Sequence, residues 1–283
     1  MLKIYDTNKH YLKTISNYTG LEITGELSNG DKTLKFTYRG KQTDILNEFY
    51  IRTQTDEYVV KEVTPQDDGT DYVCKLNLEE LEADMLKTFT ATNQTVQAAA
   101  ALALVGTGWL VSTTITKQRS VQQFKKTPLE LLYKIRDAFM AEIWFDTLNK
   151  VVHFDEHIGQ DRGVYFRREL NLKSVDATLD SYDYYTRIHP YGKDGLEIQN
   201  GTKNYVENYQ YSSKVRTLIW EDSSYEDAEA LKEDAIAKLE DLSKPKRSYK
   251  ADVRDLARLS ADYDILAFGL GDTIHITDEP TGI

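Results

Sequence analysis

The sequence predicts an α+β protein of more than one domain, in which β-barrel-like regions flank an α+β insertion. Three observations carry this reading. A length of 283 residues exceeds one small domain at roughly 100–200 residues each and leaves ample chain for a buried core. Period-two alternation dominates from Met1 to about Leu81 and returns from about Leu170. Between and within these stretches lie a few apolar stripes of helical spacing, bounded by start and stop signals. The expected domains are residues 1–84, β-rich and barrel-like, 85–169, an α+β insertion, and 170–283, β-rich with one long acidic helix at 221–243.

In order along the chain, Glu22–Leu27 and Thr33–Tyr38 flank Ser28-Asn29-Gly30-Asp31, and an Asn-Gly between alternating segments is the strongest short-range hairpin signal. Leu34, Phe36 and Tyr38 then share one face. Strands are expected at Tyr58–Val63 and Tyr72–Leu76, separated by the turn-forming Pro65-Gln-Asp-Asp-Gly69. Thr95–Val105 reads as a short Ala/Leu helix that Gly106 can end in a left-handed conformation, with an extended pattern resuming at Trp109-Leu-Val111. Thr127-Pro128-Leu129-Glu130 supplies an N-cap, a first-turn proline and a capping-box glutamate, and Leu131, Leu132, Ile135, Ala138 and Phe139 form the apolar stripe behind it. Glu142–Phe145 and Lys150–Phe154 are strands joined by Asp146-Thr-Leu-Asn149.

Further strands are expected at Tyr184–Ile188, Leu196–Ile198, Tyr205–Val206, Val215–Trp220, Ser248–Val253 and Asp272–Thr277. One helix interrupts them. Ser223-Ser-Tyr-Glu226 reads as its capping box, Ala228, Leu231, Ala235, Leu239 and Leu242 form its stripe, and Pro245 stops it. The ending Asp278–Ile283 reads like the middle of a strand–turn unit, which predicts an exposed edge there.

Composition excludes several function classes. Lys+Arg 35 against Asp+Glu 46 gives a net charge of −11, which opposes non-specific attraction to phosphate backbones and anionic headgroups. Nine acids against Lys232 and Lys238 between Glu221 and Asp241 account for −7 of it, the pattern of a solvated helix face or of an acidic wall facing a partner. The N-terminus has no secretory h-region, so synthesis in a cytoplasm is expected, and the longest low-polarity run, Val96–Val111, is too short and too broken by glycine to span a bilayer. Cys74 is the only cysteine and lies in an alternating segment, where a buried structural thiol is expected. The 19 tyrosines against 9 phenylalanines suit half-buried strands or surfaces that meet partners.

Motifs for chemistry are weak. His153-Phe-Asp-Glu156-His157 satisfies the H-x-x-E-H zinc pattern. That pattern needs a helix, and on an extended chain at about 3.3 Å per residue the histidines stand roughly 13 Å apart. Gly106-Thr-Gly108 follows a helix rather than a strand and lacks the third glycine of a dinucleotide fingerprint. No nucleophile elbow, Walker A loop or local triad occurs, and histidines 10, 153, 157, 189 and 275 are scattered. No catalytic, cofactor or metal residue is therefore predicted.

Function enters through resemblance. Gly106-Thr-Gly-Trp109, Tyr184-Tyr-Thr-Arg-Ile-His-Pro-Tyr-Gly-Lys-Asp-Gly-Leu196 and Asn204-Tyr-Val-Glu-Asn208 resemble blocks of the phage tail protein family labelled minor structural protein or prophage endopeptidase tail. Ser224-Tyr225, the acidic helix, Lys244-Pro245 ahead of Ser248-Tyr249, Asp255-Leu256 and Leu270–Asp278 continue the blocks in the right order. The resemblance spans roughly residues 100–283. It implies a fold similar to contractile-tail phage baseplate hub proteins and a structural place at the tail tip of a virion. It implies a homotrimeric ring whose partners are the tail tube, a distal tail protein, the tape measure and a receptor-binding or lytic module. Peptidase activity in that family belongs to C-terminal extensions, so no enzyme, cofactor or sequence-specific nucleic-acid binding is expected of these residues. A tail-associated cell-wall hydrolase and a carbohydrate-binding module are the alternatives.

Overall fold

The computed structural model describes residues 1–180, 184–244, 246–254, 256 and 266–279. It divides into two compact units, Met1–Ile158 and Gly159–Ile283. The fold is mixed α+β and mostly strands.

The first unit begins with an antiparallel sheet of seven strands, β1 (Leu2–Tyr5), β2 (Tyr11–Ile15), β3 (Tyr18–Gly25), β4 (Lys32–Tyr38), β5 (Tyr50–Arg52), β6 (Glu57–Gln66) and β7 (Gly69–Leu76). Their spatial order is β2-β1-β5-β6-β7-β4-β3. The two edge strands, β2 and β3, are consecutive in the chain and joined by only Ser16 and Asn17. Three Cα steps reach at most about 11 Å, so the sheet must curl until its edges adjoin. The Arg39 N–H donates to the Asn17 carbonyl, and Lys13 of β2 donates to the Tyr38 hydroxyl of β4 across this seam. Among the described residues no ladder joins β2 to β3, so the sheet is barrel-like without being a closed barrel.

The expected hairpin forms, with Ile23 opposite Leu34. Gly30 has φ +69°, and a Cβ there would stand 2.6 Å from the Ile143 carbonyl oxygen. The turn needs glycine both for its backbone and for the neighbour it admits. Leu34, Phe36 and Tyr38 are buried at period two, and Phe36 stacks on Tyr72 of β7 at 5.2 Å. β6 and β7 run further than expected, through Pro65 and Gln66 to Gly69, which leaves Asp67 and Asp68 alone to make the turn.

The unit continues with α1 (Glu79–Glu82), β8 (Leu86–Thr95), α2 (Val96–Ala103), β9 (Leu110–Thr113), β10 (Gln118–Lys126), α3 (Pro128–Phe139), β11 (Glu142–Asp146) and β12 (Val151–Asp155). β8 and β10 form a long antiparallel ribbon, and a second sheet has the order β11-β12-β9 with β9 parallel to β12. The Thr127 capping box is present in both directions. Thr95 caps α2, but the helix ends at Ala103 with Leu104 as its C-cap, short of the expected Val105, and Gly106, with φ +85°, lies in the turn beyond. One continuous core runs from Leu2 and Ile4 through Ala99, Leu132 and Ile135 to Phe145 and Phe154.

The second unit contains β13 (Asp161–Arg167), β14 (Leu172–Asp180), β15 (Arg187–Tyr191), β16 (Val206–Glu207), β17 (Thr217–Glu221), α4 (Ala228–Leu242), β18 (Lys246–Val253) and β19 (Thr273–Thr277). β13 pairs in parallel with β19, β14 antiparallel with β18, and the third sheet has the order β16-β15-β17. Two small cores result, one of Ile188, Val206, Tyr225, Leu231, Ala235 and Leu239, the other of Val164, Phe166, Leu172 and Val175.

Two expectations need correction here. Ser223–Glu226 is not a capping box. Asp227 caps α4 by accepting from the Ala230 N–H, while Ser224 is held by Asp222 and Glu226 pairs with Lys193 at 2.6 Å. The strand expected at Tyr184–Ile188 is displaced to Arg187–Tyr191, and Leu196–Ile198 supplies only an isolated bridge from Glu197 to Tyr191. Pro245, the expected stop, and the terminal 280–283 lie outside the described residues.

Candidate interaction surfaces

The residues singled out for chemistry have structural surroundings. His153 lies on β12 directly opposite Trp144 of β11, and the rings stack at 3.8 Å and 6°. Burial pushes its pKa down, against a weaker opposing pull from Asp155 and Asp146. His157 lies in the bend after the strand. Among the described residues no group of three or more His, Cys, Asp and Glu side chains gathers as a cation site. Cys74 is buried on β7, and desolvation pushes its thiol up to about 12, far from thiolate reactivity.

The densest polar cluster was not legible in the sequence. Glu57, 3% exposed at the start of β6, accepts from Lys9 Nζ at 2.9 Å and from Asn77 Nδ2 at 2.6 Å, and pairs with Arg52. Its own N–H donates to Thr147 Oγ1 at 2.7 Å. Lys9 also reaches Glu80 at 3.5 Å, and Glu80 accepts from Lys150 at 2.8 Å and from Trp109 Nε1 at 3.4 Å. Desolvation alone would raise the Glu57 carboxyl, but its donors hold it below the ordinary carboxylate value. Each carboxylate in the chain of contacts is met by cations, so none is poised to shuttle a proton. The cluster instead ties the seven-stranded sheet to Thr147, Lys150 and Trp109 of the following segment.

Tyrosine abundance has a physical explanation in cation–π contacts. Arg52 lies over Tyr5, Lys9 over Tyr50, Arg136 over Tyr133, Arg167 over Tyr165 and Arg216 over Tyr184. The rings carry an apolar body into the fold and offer a face to the chain's own cations. Such faces are occupied rather than open to a sugar.

The sheet β16-β15-β17 is covered on one face by α4, through Leu231, Ala235 and Leu239, while its other face carries the half-buried Arg187, His189 and Glu207 and the exposed Thr217 and Ile219. On β15 and its neighbours, Arg187 lies 4.3 Å over the Tyr205 ring and Lys203 lies 5.2 Å over it, while His189 approaches the ring at 4.8 Å. Glu207 accepts from Lys203 at 2.5 Å, from Arg187 at 2.6 Å and from the Tyr209 hydroxyl at 2.9 Å. These donors hold its carboxyl down at about 2. Beside them Ile219 of β17 is 65% exposed. Tyr, Arg and His around an exposed aliphatic, on a rigid strand surface, is the composition of a protein-binding patch.

Other exposed features sit at sheet edges and on α4. β3 is exposed along nearly its whole length, including Leu21 and Ile23. On α4, Glu229, Glu233, Ile236 and Glu240 face solvent, whereas Asp234 turns inward to accept from the buried Tyr225 hydroxyl at 2.7 Å. The acidic run is thus a solvated helix face, one of the two expectations, with an apolar residue at its centre.

Similarity to known proteins follows the same architecture. Three family models match in succession: the prophage endopeptidase tail N-terminal domain over residues 2–77, the prophage endopeptidase tail domain over 84–154, and the prophage endopeptidase tail over 160–283. No curated protein sequence matches. The fold is similar over 100% of this chain to the prophage tail protein gp18 from Listeria monocytogenes EGD-e, with a TM-score of 0.71, 17% identity and 86% of that chain covered. It is likewise similar over 100% of this chain to the tail protein from Neisseria meningitidis MC58, with a TM-score of 0.68, 11% identity and 87% of that chain covered. The 43 kDa tail protein of prophage MuSo2 from Shewanella oneidensis gives a TM-score of 0.66 at 15% identity, with 100% of this chain and 90% of that chain covered. The chain belongs to the prophage endopeptidase tail family and is a structural protein of a phage tail.

Proposed function

We propose that this tail protein is the hub of the tail tip, a three-fold ring that joins the tail tube to receptor-binding or lytic modules, with a distal tail protein and the tape measure as further neighbours. The observation that carries the reading is the succession of three tail-family matches along one chain of rigid β units with uncovered strand faces and edges. A hub needs stiff walls, extensive protein-binding surface and no chemistry of its own. The Glu57 cluster ties together separate parts of the first unit, and the Arg187–Tyr205–Glu207 face offers a patch of the required kind. Its role in this reading is mechanical.

Electron microscopy of induced particles labelled with antibody against this chain tests the reading. Label at the distal end of the tail, on a three-fold density wide enough for duplex DNA, is the expected result. Label along the tube or on side fibres overturns it. A zymogram on host peptidoglycan with the purified chain is expected to show no clearing.

A further inference from the structure

The sequence contains two Asn-Gly pairs, Asn29-Gly30 and Asn200-Gly201. In such a pair the backbone nitrogen of glycine can attack the asparagine side-chain carbonyl, because no Cβ shields it. The fold places the two pairs in opposite circumstances.

Asn29-Gly30 is locked. The Gly30 N–H donates to the Glu26 carbonyl at 2.8 Å. The Asn29 side chain accepts from the Asp31 N–H at 2.8 Å and donates to Glu26 Oε2 at 3.0 Å. Gly30 itself is buried beside the Ile143 carbonyl.

Asn200-Gly201 is open. Asn200 and Lys203 exchange both backbone hydrogen bonds, at 2.8 and 3.1 Å, so Gly201 and Thr202 form a two-residue turn. Gly201 takes the first central position with φ +66°, as a type II′ turn requires. Among the described residues nothing accepts from the Gly201 N–H, and a Cβ on this exposed glycine would meet nothing within 4 Å. The Asn200 side chain is held by one contact, Nδ2 donating to the Tyr205 carbonyl at 3.1 Å.

We propose that Asn200 is a site of spontaneous deamidation whose product remodels the face around Tyr205. The Gly201 amide nitrogen, having lost its proton to solvent, bonds to Asn200 Cγ, and the side-chain nitrogen leaves as ammonia, which closes a succinimide ring. Water then opens the ring at either carbonyl, giving aspartate or, with the backbone routed through the side chain, isoaspartate. Nothing is oxidised or reduced, and water is the only co-reactant. The amide that donates to the Tyr205 carbonyl becomes a carboxylate that cannot, so two acceptors are left facing each other. Isoaspartate also lengthens the backbone within a turn whose length fixes the register of its flanks. Lys203, directly opposite Asn200, gains a second carboxylate to pair with besides Glu207, and it lies 5.2 Å over the Tyr205 ring. The chemistry is independent of where the chain stands in the tail.

Peptide mass spectrometry of the purified chain, incubated folded at mildly alkaline pH and sampled over days, tests the site. The peptide carrying Asn200 is expected to exchange NH2 for OH, as aspartate and isoaspartate, and to do so faster as pH rises because the attacking nitrogen must lose its proton. Asn29 is expected to react at least about tenfold more slowly, since its hairpin must open first. In urea the two rates are expected to converge, the reacting pair being the same. Equal rates in the folded chain, or an Asn200 peptide that does not convert, overturn the site. Hydrogen exchange then tests the consequence. The Lys203 amide, bonded to the Asn200 carbonyl, is expected to exchange about fivefold faster in Asn200→Asp and in the converted wild type, the loss of one supporting hydrogen bond. Unchanged exchange in both overturns the remodelling.

Discussion

The two units, residues 1–158 and 159–283, build their cores in opposite ways. Residues 1–158 build one core, shared by a curled seven-stranded sheet and three helices, whereas the described part of 159–283 divides its apolar residues between two small cores under two- and three-stranded sheets. Buried area per residue sets stability, so the first unit is the rigid anchor and the second the more easily opened one. The difference is also electrostatic. The first unit buries its principal ion cluster, around Glu57, while the corresponding cluster of the second, around Glu207, lies on an outer face.

The comparison breaks most visibly through the cores. Phe145 is fully buried and packs edge-on against Trp109 and Tyr133, so Phe145→Ala is expected to cost about 3–5 kcal/mol and to lower the urea midpoint of the whole first unit. Ile188→Ala, at a similarly buried site of the smaller core, is expected to cost about 2–5 kcal/mol and to expose only the second unit to protease. Equal proteolysis of both units in either variant would contradict the division.

Next in size is Glu57→Ala. Removing a buried acid between cations costs about 3–5 kcal/mol where all partners are buried, but Lys9 and Arg52 are a third exposed, so about 1–3 kcal/mol is expected here. Because the folded carboxyl lies below its ordinary value of 4.5, its contribution is fully present above that value and is lost as pH falls through the folded one. Urea titrations at pH 7 and at pH 3 are expected to show the wild-type advantage over Glu57→Ala shrinking at the lower pH.

Thr127→Ala removes the oxygen that accepts from the Glu130 N–H and is expected to cost about 1 kcal/mol, read as a small shift of the same first-unit transition. The smallest effect is expected at Glu207, whose partners Lys203 and Tyr209 are exposed and whose partner Arg187 is half-buried. Glu207→Gln is expected to leave the urea midpoint at pH 7 nearly unchanged, while carboxyl NMR of the wild type places its titration near pH 2. A Glu207 that titrates in the ordinary range would show that the Arg187 and Lys203 contacts do not persist in solution.

What could be read from the residues was local. Asn29-Gly30 announces its hairpin, and Thr127-Pro128-x-Glu130 announces α3, because the physics of each lies within a few residues. The start of α4 is ambiguous in the sequence because Asp222, Ser223, Ser224 and Asp227 all offer caps, and the choice falls to Tyr225, whose burial against Asp234 and Trp220 holds the chain extended before Asp227. β8 and β10 carry a weak sequence signal because Thr, Gln and Ala dilute their alternation, and each pairs with a strand on the far side of α2 and β9. The Glu57 cluster joins positions 9, 52, 57, 77 and 147, a set of separations that no spacing rule anticipates.

One feature of the second unit bears on load. Its first strand, β13, and its last described strand, β19, lie side by side in parallel, and the pairing is reinforced by Asp161 with His275, the Gln160 N–H with Asp272, and Arg168 with Asp278. The chain enters at the start of β13 and continues past the end of β19, so tension applied to its two ends slides these strands lengthwise past one another. Every hydrogen bond of the pair is then strained together instead of being peeled one at a time. A unit with modest cores can in this way be easy to open by denaturant and still resist a pull along the chain.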